Sequence, residues 1–422
     1  MNNRFLTSAL SIAMALSASA QTANYKATIY CDGLVEPEQY RSHNSKESIS
    51  SDENVVYACN GVYLILTGYR LSKTSGFTAN PDCRRTGTNS IITATTGSDV
   101  LIEDCEFNSH VDKADGLTVT GRGTKAKVQE GEFRFTRANA ACVCAVDSGS
   151  VTLEETRFTV TGSMNTPFYT DGGTIAATLA TGSTTGISSP LFRTAGTQTA
   201  KGCEMTAEKS NIAYIDAGGS LILDGNKLTG NGYCGFQMYS SGQERGFSRL
   251  ELSKNRLFVT EGPLVCVSNT DAKIVIRDGN QISMKGSDFI VAKADDWGVK
   301  GTNGGHADVI LEKQSIKGNI TADSISSVNL NLKDSRYIGS VNADANPCAR
   351  ISLHLEGSSV WQVSSDSYIT SISFDVPLKK GLKMIKGSHT VYYDPDDSDN
   401  RMLLGGLEHS FAGGGKLVPN KK

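Results

Sequence analysis

Residues 100–107, 126–133 and 151–158 read VLIEDCEF, AKVQEGEF and VTLEETRF. Each opens with apolar residues at alternate places, passes through a polar or glycine turn, and closes on phenylalanine. Alternation with a period of two marks a strand rather than a helix. The same template fits LILDGNKL (221–228) and IVIRDGNQI (274–282). The closing position is Phe107, Phe133, Phe158, Leu228 and Ile282 in these units, and the template extends to Leu71, Met205, Leu257, Ile316, Tyr337 and Val360. In TIAATLATG (174–182) the match weakens, because Gly182 stands where a large residue belongs.

Most successive anchors lie roughly 21–26 residues apart, a period that marks a stacked-repeat architecture. Three intervals are longer: Leu71 to Phe107, Leu228 to Leu257 and Ile282 to Ile316. A leucine-rich solenoid has a similar period but needs a recurrent L-x-x-L-x-L, which this sequence lacks. The pattern predicts an all-β chain, a right-handed parallel β-helix (solenoid) of about twelve coils with end caps. At about 4.8 Å per coil, twelve coils make a rod of roughly 55–60 Å. The expected organisation is a signal peptide at 1–20, an N-terminal cap at 21–60, the β-helix at 61–376 and a C-terminal cap at 377–422. Open strand edges at the two ends invite association unless covered, which is the reason to expect caps.

The leader MNNRFLTSALSIAMALSASA (1–20) has Arg4, then a short apolar run, then Ala18-Ser19-Ala20. That is the form of a cleaved export signal, shorter than the stretch of about 20 apolar residues a membrane span needs. The expected setting is extracellular, cell-surface or periplasmic, with no transmembrane segment. Net charge is −3 and no basic run occurs, so nucleic acid is not an expected partner. Ten cysteines follow the leader, irregularly spaced. No pair of CxxC motifs suggests zinc. Buried thiols are the expected state for most of them. Cys31–Cys59 is the pair to test first for a disulfide, and Cys142 and Cys144 are expected to share one face of a strand.

The segments LVCVSNTDAKIVIRDG (264–279), DDWGVKGTNGGHADVILEKQSIKGNITADSISSVNLNLKDSRYIGSVN (295–342), SLHLEGSSVWQVSSDSYITSI (352–372) and GGGKLVP (413–419) resemble secreted right-handed parallel β-helix proteins of gut anaerobes. These are adhesin-like proteins with a pectin-lyase-like fold. The resemblance implies the fold and an extracellular setting, and no established reaction.

The long intervals are insertions at turns, where a rigid scaffold carries binding loops. ADDWGVKGTNGGHADVI (294–310) holds Asp295, Asp296, Trp297, Asn303 and His306. Trp297 offers a face for a sugar ring, and the polar residues offer partners for hydroxyls. The competing reading is a glycine-rich loop folded onto the rod, with Trp297 as a plug. YCGFQMYSSGQERGFSRL (233–250) adds Tyr233, Phe236 and Tyr239. Two such turns, two coils apart, are placed to frame a groove. The third insertion, GFTANPDCRRTGTN (76–89), holds Arg84 and Arg85, read as a solvated loop or as a contact for anionic sugar. DPDDSDN (394–400) lacks the glycine and glutamate of a calcium loop and reads as a polar hairpin turn.

Hydrolases on such a scaffold use carboxylates about 5–10 Å apart. Asp104, Glu130 and Glu155 fall at equivalent places on successive coils, with Asp224 and Asp278 further on. Arg134, Arg137 and Arg157 lie near enough to neutralise them. No nucleophile elbow or P-loop occurs. The leading expectation is a non-enzymatic, secreted or surface-displayed protein binding a glycan, or a host or neighbour cell surface. It needs no cofactor and no metal. A polysaccharide lyase or glycoside hydrolase is the alternative, and a structural spacer the third.

Overall fold

The computed structural model describes residues 25–33, 38–41 and 44–420. The chain is an all-β parallel solenoid of about 15 turns, rather than twelve. At about 4.8 Å per turn this gives a rod of roughly 70 Å. The leader at 1–20 lies outside the described residues. No helix among the described residues is long and apolar enough to cross a membrane.

Most coils contribute three strands, one to each of three faces. Ile92–Ala94, Asp99–Glu103 and Glu106–Ser109 make one such set, and Leu117–Thr120, Lys125–Gln129 and Glu132–Phe135 make the next. Each strand pairs in parallel with its counterpart one coil on. The predicted anchors form one column on the third face. Leu71, Phe107, Phe133, Phe158, Gly182, Met205, Leu228, Leu257 and Ile282 are paired residue to residue in unbroken succession. Ile316 and Tyr337 continue the column. The final anchor is displaced by one: Tyr337 pairs with Trp361, not Val360, and Trp361 is fully buried. With a side-chain period of two, that single step separates the core from the surface. The coil count exceeds twelve because segments expected as caps also carry parallel strands. Lys26–Asp32 pairs with Glu53–Cys59, and Thr390–Tyr393 with Lys416–Pro419.

Stacked aromatics fill the first half of the core. Phe107 and Phe133 lie 4.3 Å apart, and Phe133 and Phe158 5.0 Å. Each such pair is worth about 0.5–1.5 kcal/mol beyond the area it buries. At the next coil Phe168, from the first face, meets Phe158 edge-on at 5.0 Å. Gly182 then has no room for a side chain: a Cβ there would stand 2.0 Å from the Phe158 carbonyl oxygen. The weak repeat at 174–182 is therefore a handover of the core from one face to another.

Further along, the position before the third face carries an inward amide ladder. Asn226, Asn255 and Asn280 each accept from the backbone N–H of the preceding coil at 2.9 Å, and Gln314 does so at 2.7 Å. Their own amide groups donate to carbonyls inside the turn, such as Asn255 to Leu223 at 2.8 Å. Buried polar groups at each corner are thus satisfied coil by coil.

The cysteine expectations divide. Nine thiols are buried and Cys348 is exposed. Cys31 pairs in register with Ala58, and Asp32 with Cys59. Cys31 and Cys59 therefore point to opposite faces of the sheet, and a disulfide between them is ruled out. Cys142 packs in the main core while Cys144 packs in a separate outer cluster with Ala141 and Val146. They do not share a face.

Candidate ligand-binding face

The first face owes its outward residues to four aligned stretches: PFYTD (167–171), LFRTA (191–195), IAYID (212–216) and GFQMY (235–239). In each, the second residue turns into the core and the third turns out. The register places Tyr169, Arg193, Tyr214 and Gln237 in one outward column. Tyr239, two residues beyond Gln237, brings its ring to 6.4 Å from Tyr214, edge to face. Trp297 then leans over Tyr239, with ring centroids 4.8 Å apart. Tyr233 donates its hydroxyl to the Gln237 side-chain oxygen at 3.1 Å. The result is an aromatic strip running across coils, with Trp297 39% and Tyr233 52% exposed and Tyr239 and Gln237 buried beneath them.

The two insertions expected to frame a groove do meet, and Asn269 joins them. Its side-chain amide donates to Ser240 and Gly242 carbonyls of one loop, both at 3.0 Å. Its backbone N–H donates to the Asn303 carbonyl of the other at 3.0 Å. Asn303 in turn donates to the Asp295 carbonyl at 2.7 Å and the Trp297 carbonyl at 2.8 Å. Gly298 packs so closely that a Cβ would stand 2.4 Å from the Asn269 amide. The tryptophan is held in place by backbone bonds from buried asparagines.

This placement corrects several expected ligand contacts. Phe236 is fully buried, because its register partners Ala213 and Val265 are core residues. Asn303 is 4% exposed and spends its amide protons on the loop. Neither is open to a ligand. Asp295 and Asp296 are exposed at the loop tip. His306 lies round the corner, at the start of a strand on the second face, and shares a 2.7 Å bond with Ser327. Burial, helped by the Arg245 guanidinium, holds its imidazole below the usual range. Tyr239 is 3% exposed beneath the Trp297 ring, so it too is closed to a ligand, and Tyr233 and Trp297 are the expected aromatic residues left accessible. Tyr214 and Arg193 join them. Their signal was the register of the four stretches above, which the anchor on another face does not reveal.

The 76–89 insertion closes one end of this face. Its short helix Cys83–Thr86 lies on the sheet. Arg84 bonds Asp115 at 3.3 Å and the Asn139 carbonyl at 2.7 Å, and stands 4.6 Å over the Tyr169 ring. Arg85 pairs with Asp147 at 2.6 Å. Burial pushes the Tyr169 phenol up, against a smaller opposing effect of Arg84. Arg84 is committed to partners on the sheet, whereas Arg85 remains a solvated side chain with one surface pair. The tyrosines of the strip are likewise raised by burial, Tyr239 to about 12. They are neutral hydrogen-bonding groups at physiological pH.

The acidic column has a backbone origin. Asp104, Glu130 and Glu155 sit three residues before their anchors with φ of 51°, 55° and 53°. Gly202, Gly225, Lys254, Lys313 and Asp334 occupy the same left-handed turn on other coils. The turn demands this conformation, which glycine adopts freely and a few polar residues tolerate. Arg134 pairs with Glu106 and Glu132 instead of these acids. The stretch at 394–400 is also reassigned. Asp397 caps a helix, Ser398–Leu404, accepting from Asp399 and Asn400 N–H groups at 3.1 Å, so the segment is a helix start and not a hairpin. Among the described residues, no group of three His, Cys, Asp or Glu side chains is placed to hold a metal ion.

Comparison with known proteins finds no matching family model and no matching curated sequence.

Proposed function

We propose that this chain is an exported or surface-displayed, non-enzymatic solenoid that binds a glycan or a glycan-bearing cell surface through Trp297, Tyr233 and Tyr214, with the buried Tyr239 as the support beneath Trp297. One observation carries the reading: an exposed tryptophan, held by a buried asparagine network, leaning on a tyrosine that continues into a second tyrosine across the coils. Flat apolar faces edged by hydroxyls and amides suit sugar rings, whose two faces are apolar and whose rims carry hydroxyls. A loop that served only as a plug would bury its tryptophan. The resemblance of the C-terminal half to adhesin-like proteins points the same way. So does the form of the leader, which fits a setting where glycans are met.

Enzymatic readings have less support. The stacked carboxylates follow from a repeated turn conformation, and the residues of the 294–310 loop diverge around a corner. The test is a panel of neutral and acidic polysaccharides, scored both for binding and for new reducing ends or unsaturated products. Binding without turnover, lost on Trp297→Ala, supports the proposal. Turnover of any member replaces it with the lyase or hydrolase reading.

A further inference from the structure

Around residues 265–333 the solenoid wall is continuous on two faces and broken on the third. Across the coils around residues 265–333, the first face pairs Val265–Ser268 with Asp288–Ala292 and that with Asn319–Ala322. The second face pairs Thr270–Arg277 with His306–Glu312 and that with Ser327–Lys333. On the third face, the ten-stranded sheet ends at Gln281–Met284, and a separate four-stranded sheet begins at Ser315–Lys317. These strands belong to adjacent coils, yet no ladder joins them. The break coincides with the longest interval beyond the first, Ile282 to Ile316.

Phe289 lies beside the opening. The register slips between Asp288 and Ile290, and Phe289 turns inward as the extra residue, fully buried. Its ring lies 6.5 Å from Tyr337, and Gly318 must lack a side chain because a Cβ would meet Phe289 N at 2.9 Å. The bulged phenylalanine fills the core beneath the place where the two third-face strands part.

The cleft so formed has a volume of ≈ 520 Å³. Ile282, Met284 and Ile338 line it with Lys285 and Lys317, and no carboxylate lines it. Neither lysine forms an ion pair among the described residues. The nearest acid in sequence, Asp288, is held by Ser287 and Asn319. The edge itself has chemistry. Gln281 and Lys285 donate their backbone N–H groups to Asn255 and Val259 of the preceding coil. Successive residues of a parallel strand point their N–H and C=O groups to opposite sides. The backbone groups of Ile282 and Met284 therefore face the cleft without a ladder partner.

We propose that this cleft is a docking slot for an extended acidic peptide. The guest's main chain pairs with the free edge at Ile282–Met284, in the manner of strand addition. Its alternate carboxylates meet Lys285 and Lys317. The free edge favours a peptide over a glycan, because only a peptide supplies donors and acceptors at strand spacing. The site lies on a different face from Trp297 and does not depend on the glycan reading.

The test uses the full chain and a synthetic peptide of repeating Thr-Glu, with a control methylated at alternate backbone nitrogens. The unmodified peptide is expected to bind, to slow hydrogen exchange at the Ile282 and Met284 amides, and to weaken about ten-fold or more on Lys285→Glu with Lys317→Glu. Both lysines are exposed, so the variant is expected to fold, which its unfolding midpoint checks. The methylated control is expected not to bind. No protection at Ile282 and Met284, or equal binding by the methylated peptide, overturns the proposal. Equal displacement by polygalacturonate overturns it too, since that identifies a simple anion site.

Discussion

Trp297 and Tyr239 meet ring to ring at 4.8 Å, though they come from insertions on different coils. The contact exists because Asn269, on the coil between, bonds both loops at once. An insertion that looked in sequence like a cluster of acids and an imidazole is a presenting frame for one aromatic ring.

Asn269→Ala removes two buried donor bonds and leaves the Ser240 and Gly242 carbonyls unpaired. The expected cost is about 1–3 kcal/mol, read as a fall in the unfolding midpoint. The loops separate, so Trp297 emission shifts towards that of a solvated indole. An unchanged emission spectrum contradicts the bridging role.

The amide ladder makes a second demand. Asn255→Ala leaves the Asn226 backbone N–H and the Leu223 carbonyl without partners inside the core. The loss is expected at about 3 kcal/mol, larger than for Asn269. Asn255→Ser, which keeps a hydroxyl acceptor, is expected to recover part of it. Unfolding in denaturant compares the three proteins, and equal midpoints for wild type and Asn255→Ala refute the ladder.

Lys73 gives a pH dependence with a definite sign. Its ammonium is fully buried among the Ser48 hydroxyl, the Ser50 carbonyl and the Glu53 carbonyl. Burial lowers its pKa to about 8, from 10.5. Between these values the unfolded chain binds the proton and the folded chain does not, so stability rises with pH there. Relative to Lys73→Met, the wild type is expected to gain up to about 3 kcal/mol from pH 8 to 10.5. Below pH 8 the difference is flat. Thermal unfolding of both proteins across this range checks it, and a difference that falls with pH contradicts the burial of the charge.

Thiol chemistry tests the corrected register. Cys348 alone is exposed. One thiol is expected to react promptly with an aromatic disulfide reagent in native buffer. Peptide mapping is expected to find no Cys31–Cys59 bond, since the two residues face opposite ways. Finding that bond contradicts the pairing of Lys26–Asp32 with Glu53–Cys59.

The repeat was legible because one column of large residues recurs at one register; Phe107, Phe133 and Phe158 announce the coil unaided. Its end was misplaced by one, at Val360, because Val-Trp presents two apolar neighbours and periodicity alone does not choose between them. Phe236 was assigned outward for a related reason: in GFQMY every residue of the strand is buried, and no alternation betrays direction. Tyr214 and Arg193 were hidden because their face carries polar residues inside and aromatics outside. Only inter-coil register, a property of pairing and not of spacing, sets them in line with Trp297.

The central claim is that Trp297 belongs to a binding surface. Trp361 is fully buried and Trp297 is 39% exposed, so Trp361→Phe leaves a single reporter at the strip. Titrating that protein with the polysaccharide that binds in the panel is expected to change its fluorescence saturably. Trp297→Ala is expected to abolish binding with an unfolding midpoint close to that of wild type. Undiminished binding by Trp297→Ala, with the loop still folded, contradicts the account.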